Sequence, residues 1–130
     1  MALATICALA VAAFASADRG PFTVADTRAA LAGASARARC IVRYEVGGGT
    51  AEYVPYAPQT IGDAGTSFGV AQLHDSGGMA ASERDGLLHD FYRRGWTDPM
   101  NPYQAVAYLD DALDRGLADH WSPVKRGLCT

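Results

Sequence analysis

The stretch from Gly47 to Gly65 limits the fold of this 130-residue chain more than any other part of it. It opens with three consecutive glycines, continues through Pro55 and Pro58, and ends in a turn signal at Gly62. Glycine and proline at this density break helices and remove donors from sheets, so turns with at most a short hairpin are predicted. Helix-forming patterns lie on both sides. The chain therefore lacks the strand–helix alternation of a parallel sheet, and we predict a predominantly helical α+β domain with a small irregular or β insert between the first and later helices.

A helix is predicted to precede this insert. Asp26 or Thr27 is a possible N-cap, and Glu45 occupies the last position of the helical row, directly before the glycines. Apolar residues fill the earlier positions of that row at helical spacing, and they are Leu31, Ala34, Ala38 and Ile41. A carboxylate therefore lies where the spacing predicts a buried side chain.

Further helices are predicted after the insert. FGVAQLH at 68–74 is short and apolar and is predicted to be a brief helix or turn. ERDGLLHDFYRRGW at 83–96 fits a helix that ends near Gly95. In NPYQAVAYLDDALDRG, Asn101 is the predicted cap, Pro102 the first helical residue and Gly116 the stop.

Glu45 has the most distinctive predicted chemistry in the chain. Burial and the negative end of the helix dipole both disfavour its charged form, so its pKa is expected to be raised. Glycoside cleavage requires an acid that stays protonated near neutral pH, because the leaving oxygen must receive a proton as the C–O bond breaks. The alternative interpretation is an ordinary solvated glutamate on a helix flank.

The N-terminus has the pattern of an export signal. Residues 2–15 are apolar apart from Thr5, and the following Ala-Ser-Ala matches a signal-peptidase site. We therefore expect residues 1–17 to be a signal peptide and residues 18–130 to form one mature domain, secreted or in the cell envelope, without stable membrane insertion. No lysine or arginine precedes Arg19, which is atypical for such peptides, and a short buried or membrane-anchoring helix is the alternative.

Export determines how the cysteines are interpreted. Cys7 lies in the predicted signal peptide, which leaves Cys40 and Cys129 as a pair. In an oxidising compartment these two are expected to form a disulfide, and the alternative is two buried thiols. Their spacing does not match C-x-x-C, so it does not indicate a zinc site.

Charge and histidine placement argue against several function classes. The chain carries 11 Lys and Arg against 14 Asp and Glu, a formal net charge of −3, and its basic residues are scattered along the sequence. This balance does not indicate binding to nucleic acid or to an anionic membrane surface. His74, His89 and His120 lie far apart and show no H-E-x-x-H, so neither a metal site nor a cofactor is expected.

GTSFG at 65–69 matches G-x-S-x-G, the motif in which a serine hydrolase places its nucleophile between a strand and a helix. The residues before it are a poor strand, because two prolines remove donors and Gly62 and Asp63 mark a turn. A serine hydrolase with Ser67 as nucleophile is therefore a minor alternative.

Three segments in order resemble the lysozyme-like superfamily, especially bacterial lytic transglycosylases and goose-type lysozymes. RYEVGGG looks like the segment in which a catalytic glutamate ends a helix. GDAGTSFGVAQLH is similar to the G-x-[ST]-x-G-x-x-Q-[IL] segment that lines the sugar site, and DPMNPYQAVAYLDDALDRG to the later helix with A-x-x-Y-L. The resemblance implies that residues 18–130 form a lysozyme-like domain, a monomer without a cofactor, that cleaves the MurNAc–GlcNAc β-1,4 bond of peptidoglycan strands.

The same resemblance implies roles for single residues. Glu45 is expected to be the general acid and base, and Ser67 and Gln72 to line the sugar site. Tyr56 and Tyr103 are candidate sugar contacts, and simple packing is the alternative for both tyrosines. Trp96 and Trp121 are expected to lie in the core, and a sugar platform is the alternative for both.

The chain also departs from the family pattern. Val46 stands where relatives often carry serine, and Ser67 stands where animal lysozymes carry a second carboxylate. Asp63 supplies a second carboxylate only if the turn folds back, and an ordinary turn aspartate is the alternative.

With Glu45 alone, the resemblance implies the transglycosylase route, in which Glu45 protonates the leaving oxygen and then takes a proton from the 6-hydroxyl of the muramic sugar. A lysozyme with one carboxylate is the other enzymatic possibility. A secreted glycan-binding or structural module of the same fold, without turnover, is the alternative from a different class.

Overall fold

The structure is a computed structural model that describes residues 21–75 and 86–130. Over these ranges the chain combines helices with a small antiparallel sheet, which confirms the mixed α+β class. The predicted signal peptide, residues 1–17, lies outside the described ranges. The helices are α1 (Val24–Ala32), α2 (Ala36–Val46), α3 (Leu87–Arg93), α4 (Pro102–Asp114) and α5 (Ser122–Lys125), with a 3-10 helix at Ala118–His120. The strands are β1 (Ile61–Gly62), β2 (Ser67–Phe68) and β3 (Leu73–His74).

The start of α1 differs from the prediction. The helix is capped at Thr23, whose backbone N–H donates to the Asp26 carboxylate at 2.9 Å. Asp26 therefore lies in the first helical turn, and the predicted cap at Asp26 or Thr27 is wrong. The Thr27 side chain is instead buried within the domain.

The first predicted helix is in fact two helices, α1 and α2, and the break has a local cause. Gly33 follows α1, and Ser35 caps α2 by accepting a hydrogen bond from the backbone N–H of Ala38 at 3.1 Å. A serine in this position satisfies one of the N–H groups that have no partner inside the helix. The Ser35 hydroxyl also donates to the Asp110 carboxylate at 2.5 Å, which ties the start of α2 to α4.

The three strands form an antiparallel sheet in the order β1-β2-β3. Gly62 pairs with Ser67 in the first hairpin, and Ser67 pairs with His74 in the second. The short hairpin predicted after α2 is therefore present. The prediction for 68–74 is only partly correct, because a turn joins two strand ends there and no helix forms.

The later helices agree with the sequence pattern. The Asn101 side chain accepts hydrogen bonds from the backbone N–H groups of Tyr103 at 3.0 Å and Gln104 at 3.3 Å, and α4 begins at Pro102. Gly116 follows the helix in the left-handed region, with φ +84°. Within the described ranges, no helix combines the length and the apolar character needed to span a membrane.

The C-terminal segment holds α2 and the sheet together. Cys129 forms the predicted disulfide with Cys40 of α2, and their Cα atoms are 5.6 Å apart. The Trp121 indole is buried and donates from Nε1 to the carbonyl oxygen of Ala71, between β2 and β3, at 2.8 Å. Trp96 stacks on the buried Phe91, with ring centroids 6.1 Å apart, so both tryptophans pack with the core as predicted.

Candidate active site

Glu45 lies in the last turn of α2, and Gly47 ends the helix. Its side chain is half-buried, while its neighbour Val46 is buried in the core. Burial, and after it the negative charge of Asp63, raises the pKa of Glu45 from its ordinary value of 4.5 to about 7. The raised pKa predicted from the sequence is therefore confirmed. Among the described residues, no hydrogen bond or ion pair holds this carboxyl group, so its proton is available for transfer at neutral pH.

The β1–β2 hairpin carries a second carboxyl group, Asp63, whose charge acts on Glu45. The carbonyl oxygen of Gly62 closes the turn by accepting from the N–H groups of Gly65 at 3.0 Å and Thr66 at 3.1 Å. The charge of Asp63 contributes to the raised pKa of Glu45, so the two carboxyl groups are close enough to interact. Asp63 also accepts a hydrogen bond from Ser67 within its own turn, as an ordinary turn aspartate does, so its role as a second carboxylate of the site stays a prediction.

Ser67 supports Asp63 from inside the sheet. Its side chain is 1% exposed, and its hydroxyl donates to Asp63 Oδ2 at 2.6 Å. The neighbouring Thr66 hydroxyl donates to the Asp63 carbonyl oxygen at 2.8 Å. The sequence pattern predicts Ser67 as a residue that lines the sugar site, and this hydrogen bond to Asp63 was not predicted. An aspartate and a serine on either side of a tight hairpin turn are the signal that points to it.

Gln72 fixes the hairpin that carries Asp63. Its Nε2 donates to the carbonyl oxygens of Gly69 at 2.8 Å and Thr60 at 3.3 Å. Its Oε1 lies against Gly62, where an added Cβ would come within 2.1 Å of that oxygen. A side chain at Gly62 would displace the Gln72 side chain, whose amide group holds the sheet through these two hydrogen bonds.

The two tyrosines predicted to contact sugar lie in different places. The Tyr56 N–H donates to the Val46 carbonyl oxygen at 2.9 Å, which places Tyr56 beside the end of α2 that carries Glu45. Tyr103, at the start of α4, donates from its hydroxyl to the Asp26 carboxylate at 2.9 Å. Tyr103 therefore packs against α1, and only Tyr56 remains a candidate ligand contact near Glu45.

The backbone is strained in the same region. Four non-glycine residues of the described chain have left-handed backbone, namely Tyr56, Asp63, Ala64 and Gln72, with φ between 48° and 64°. Such a conformation costs of order 1–2 kcal/mol per residue, and it persists where the surrounding structure fixes it. Three of the four are residues that the sequence placed in the site. Strain of this kind concentrates at functional sites. The part of the insert from Tyr56 to Gln72 is therefore the best candidate for a functional site among the described residues.

Two other chemistries find no support in residues 21–75 and 86–130. Ser67 lies in a two-residue strand with no helix directly after it, and its hydroxyl donates to a carboxylate instead of a histidine. His74 places Nε2 3.2 Å from Thr66 Oγ1, so the nucleophile elbow of a serine hydrolase is not formed. No group of three or more potential metal ligands occurs in this part of the chain.

No family model, no curated protein and no solved structure matches the chain. The resemblance to the lysozyme-like superfamily rests on its three sequence segments, and the candidate site rests on the geometry of α2 and the β1–β2 hairpin. The Glu45 carboxyl group is half-buried, and the charge of Asp63 acts on it.

Proposed function

We propose that this chain is a glycosidase that cleaves the MurNAc–GlcNAc β-1,4 bond of peptidoglycan, with Glu45 as general acid and base. One observation carries the proposal: the half-buried Glu45 carboxyl has a pKa of about 7 and interacts with the charge of Asp63. A general acid works best when its pKa lies near the operating pH, because a large protonated fraction then coexists with a strong tendency to donate. The family resemblance supplies the substrate, and the pKa supports the chemistry.

In the proposed first step, protonated Glu45 donates to the glycosidic oxygen as the C–O bond breaks. Positive charge develops on the ring of the muramic sugar, and the Asp63 carboxylate stabilises it through space. The Ser67 hydroxyl and the strained turn hold Asp63 in place for this role. The leaving sugar departs with the proton, and Glu45 is left as a carboxylate.

In the second step, Glu45 acts as a base on the nucleophile that completes the reaction. If Glu45 takes a proton from water, the water oxygen bonds to the anomeric carbon of the muramic sugar and a reducing end results, as in a lysozyme. If Glu45 takes a proton from the 6-hydroxyl of the muramic sugar, that oxygen bonds to the anomeric carbon of the same sugar and an anhydro product results, as in a transglycosylase. Both routes return Glu45 to its protonated form.

The test compares the wild-type protein with Glu45→Gln on purified sacculi. Glutamine keeps the shape of the side chain and removes the acid, so we expect release of soluble muropeptides to fall by ~10²- to 10⁴-fold. Glu52→Gln is the matched control, because Glu52 is exposed in the loop after α2, and it should release muropeptides at the wild-type rate.

Mass analysis of the released fragments identifies the route, since anhydro ends indicate a transglycosylase and reducing ends a lysozyme. Release by Glu45→Gln at the wild-type rate would refute the assigned role of Glu45. If the wild-type protein binds sacculi without releasing any fragment, the chain is a glycan-binding module without turnover and the enzymatic proposal is wrong.

A further inference from the structure

A groove between α1 and α2 collects three arginines. It has a volume of about 600 Å³, in the range of sites that hold a small molecule or a short peptide. We call it the arginine groove; it is lined by Arg28, Arg39 and Arg43 together with Leu31, Ala32 and Ala36. A groove lined by cationic and apolar side chains suits a ligand that carries both anionic and small apolar groups.

None of the three guanidinium groups forms an ion pair with a carboxylate of the described residues. Arg39 donates from Nη1 to the carbonyl oxygen of Ala34, which orients its side chain at the junction of the two helices. Elsewhere Asp90 pairs with two other arginines, Arg94 directly after α3 and Arg115 directly after α4. In a chain with a net charge of −3, the arginine groove is thus a local cationic site with unused donors.

The arginines are spaced for more than one anionic group. Arg39 and Arg43 are one turn apart on α2, so they lie about 6 Å from each other along one face of the helix. Arg28 approaches from α1 on the other side of the groove. A guanidinium group binds a carboxylate through two parallel hydrogen bonds, and the arrangement suits a ligand with two carboxylates.

Tyr56 lines the arginine groove and also lies beside the end of α2 that carries Glu45. At 100° per residue, Arg43 lies on the side of α2 roughly opposite Glu45, so the two sites are distinct. Tyr56 lines the groove, and a Cβ added at Gly47 would lie 3.0 Å from the Tyr56 hydroxyl. The groove therefore extends to the end of α2, where Glu45 is placed.

We propose that the arginine groove binds the free carboxylates of the peptide stems that hang from the glycan strand. The proposal rests on the proposed function, because it takes peptidoglycan as the substrate. A peptide stem carries carboxylates, which complement the arginines. It also carries the methyl groups of alanine, which can pack on the apolar side chains of Leu31, Ala32 and Ala36. A stem attached to the sugar at Glu45 passes Tyr56 to reach the groove.

The test measures binding of a sugar-free synthetic peptide of alanine and glutamate with two free carboxylates, by calorimetry or by amide shifts in NMR spectra. The full chain is used, both as wild type and as Glu45→Gln, so that binding is separated from turnover. We expect the same affinity in both proteins and at least ~10-fold weaker binding of the peptide with its carboxylates amidated. Raising the salt concentration should weaken binding of the acidic peptide, since its contacts are ionic and partly exposed.

Variants locate the binding site. Arg39→Gln and Arg43→Gln should each weaken binding of the acidic peptide by ~3- to 10-fold. Arg94→Gln removes the same charge from an exposed position directly after α3 and should leave affinity unchanged. Arg43 is exposed and makes no side-chain hydrogen bond among the described residues, so its variant stays informative even if loss of the Arg39 contact to Ala34 disturbs folding.

Equal binding of the amidated peptide would overturn the groove proposal, and so would equal weakening by Arg94→Gln. Displacement of the peptide by inorganic phosphate at a lower concentration than the peptide itself needs would also overturn it. The last would indicate a phosphate-bearing ligand. Cleavage of sacculi by a protein that does not bind the peptide would refute the groove proposal and support the proposed function. Peptide binding that depends on Arg43, in a protein that does not cleave sacculi, would support the groove proposal and refute the proposed enzymatic function.

Discussion

Replacement of Asp63 by asparagine removes the charge that acts on Glu45 and leaves the hairpin contacts in place. In the wild-type protein the Ser67 hydroxyl donates a hydrogen bond to Asp63 at 2.6 Å. The asparagine Oδ1 of the variant can accept the same hydrogen bond. The perturbation is therefore mainly electrostatic. Any change in the pKa of Glu45 then measures how strongly the two carboxyl groups interact.

The size of the change follows from the causes of the raised pKa. Burial is the larger cause and Asp63 the smaller, so Asp63 contributes less than half of the rise from 4.5 to about 7. We expect the pKa of Glu45 in Asp63→Asn to fall by roughly 0.5 to 1 pH unit, which corresponds to about 0.7 to 1.4 kcal/mol. The remaining rise comes from burial at the end of α2, which the substitution does not alter.

The assay is a pH titration of the glutamate side-chain carboxyl carbon by NMR, in protein labelled at that position. Because Glu45 must be protonated to act as an acid, the alkaline limb of the pH–rate profile on sacculi should move to lower pH by the same amount. Asp119→Asn is the control, since Asp119 is exposed on the 3-10 helix and is not among the causes of the raised pKa of Glu45. An unchanged or higher pKa of Glu45 in Asp63→Asn, or an equal fall in Asp119→Asn, would refute the interaction.

Two further substitutions test the site and its support. The raised pKa of Glu45 makes a contribution to stability that is fully present below pH 4.5 and is lost as the pH rises through about 7. In urea unfolding, Glu45→Gln should match the wild-type protein at pH 4 and exceed its free energy of unfolding by roughly 2 to 3 kcal/mol at pH 8; equal curves at both values would contradict the raised pKa. Gly69→Ala should destabilise the domain by ~3 kcal/mol or more, because the new Cβ would lie 1.9 Å from the Pro99 carbonyl oxygen at φ +73°. Gly65→Ala, at φ +96° in open space, should cost only ~1 to 2 kcal/mol by thermal unfolding, and equal losses would rule out the contact with Pro99 as the cause.

The parts of the fold that the sequence predicts correctly are those with strong local signals. Asn101 and Pro102 mark the start of α4 because a side-chain cap and a fixed φ act within one helical turn. Glu45 is found at the end of α2 because glycines follow it directly and the apolar row leads up to it. The pairing of Cys40 with Cys129 follows from counting the cysteines outside the predicted signal peptide.

The parts that the sequence does not predict depend on contacts between distant residues or on unusual backbone. Strands of two residues, such as Ser67–Phe68, are too short to show a period in the sequence. Asp63 and Ala64 have left-handed backbone in the turn between β1 and β2, yet neither residue type requires that conformation. The break at Gly33 and Ser35 had a local signal, but the apolar row continues across it and predicts one long helix.

The disulfide makes most of the domain a closed covalent ring. Cys40 and Cys129 are 89 residues apart in sequence, and every peptide bond between them lies inside the ring that they close. A protease that cuts one of these bonds opens the ring and releases no fragment, so Glu45 and Asp63 stay on one molecule. Only a second cut, or reduction of the disulfide, separates the pieces. A protein built this way tolerates a single nick in its insert while α2 and the hairpin remain joined.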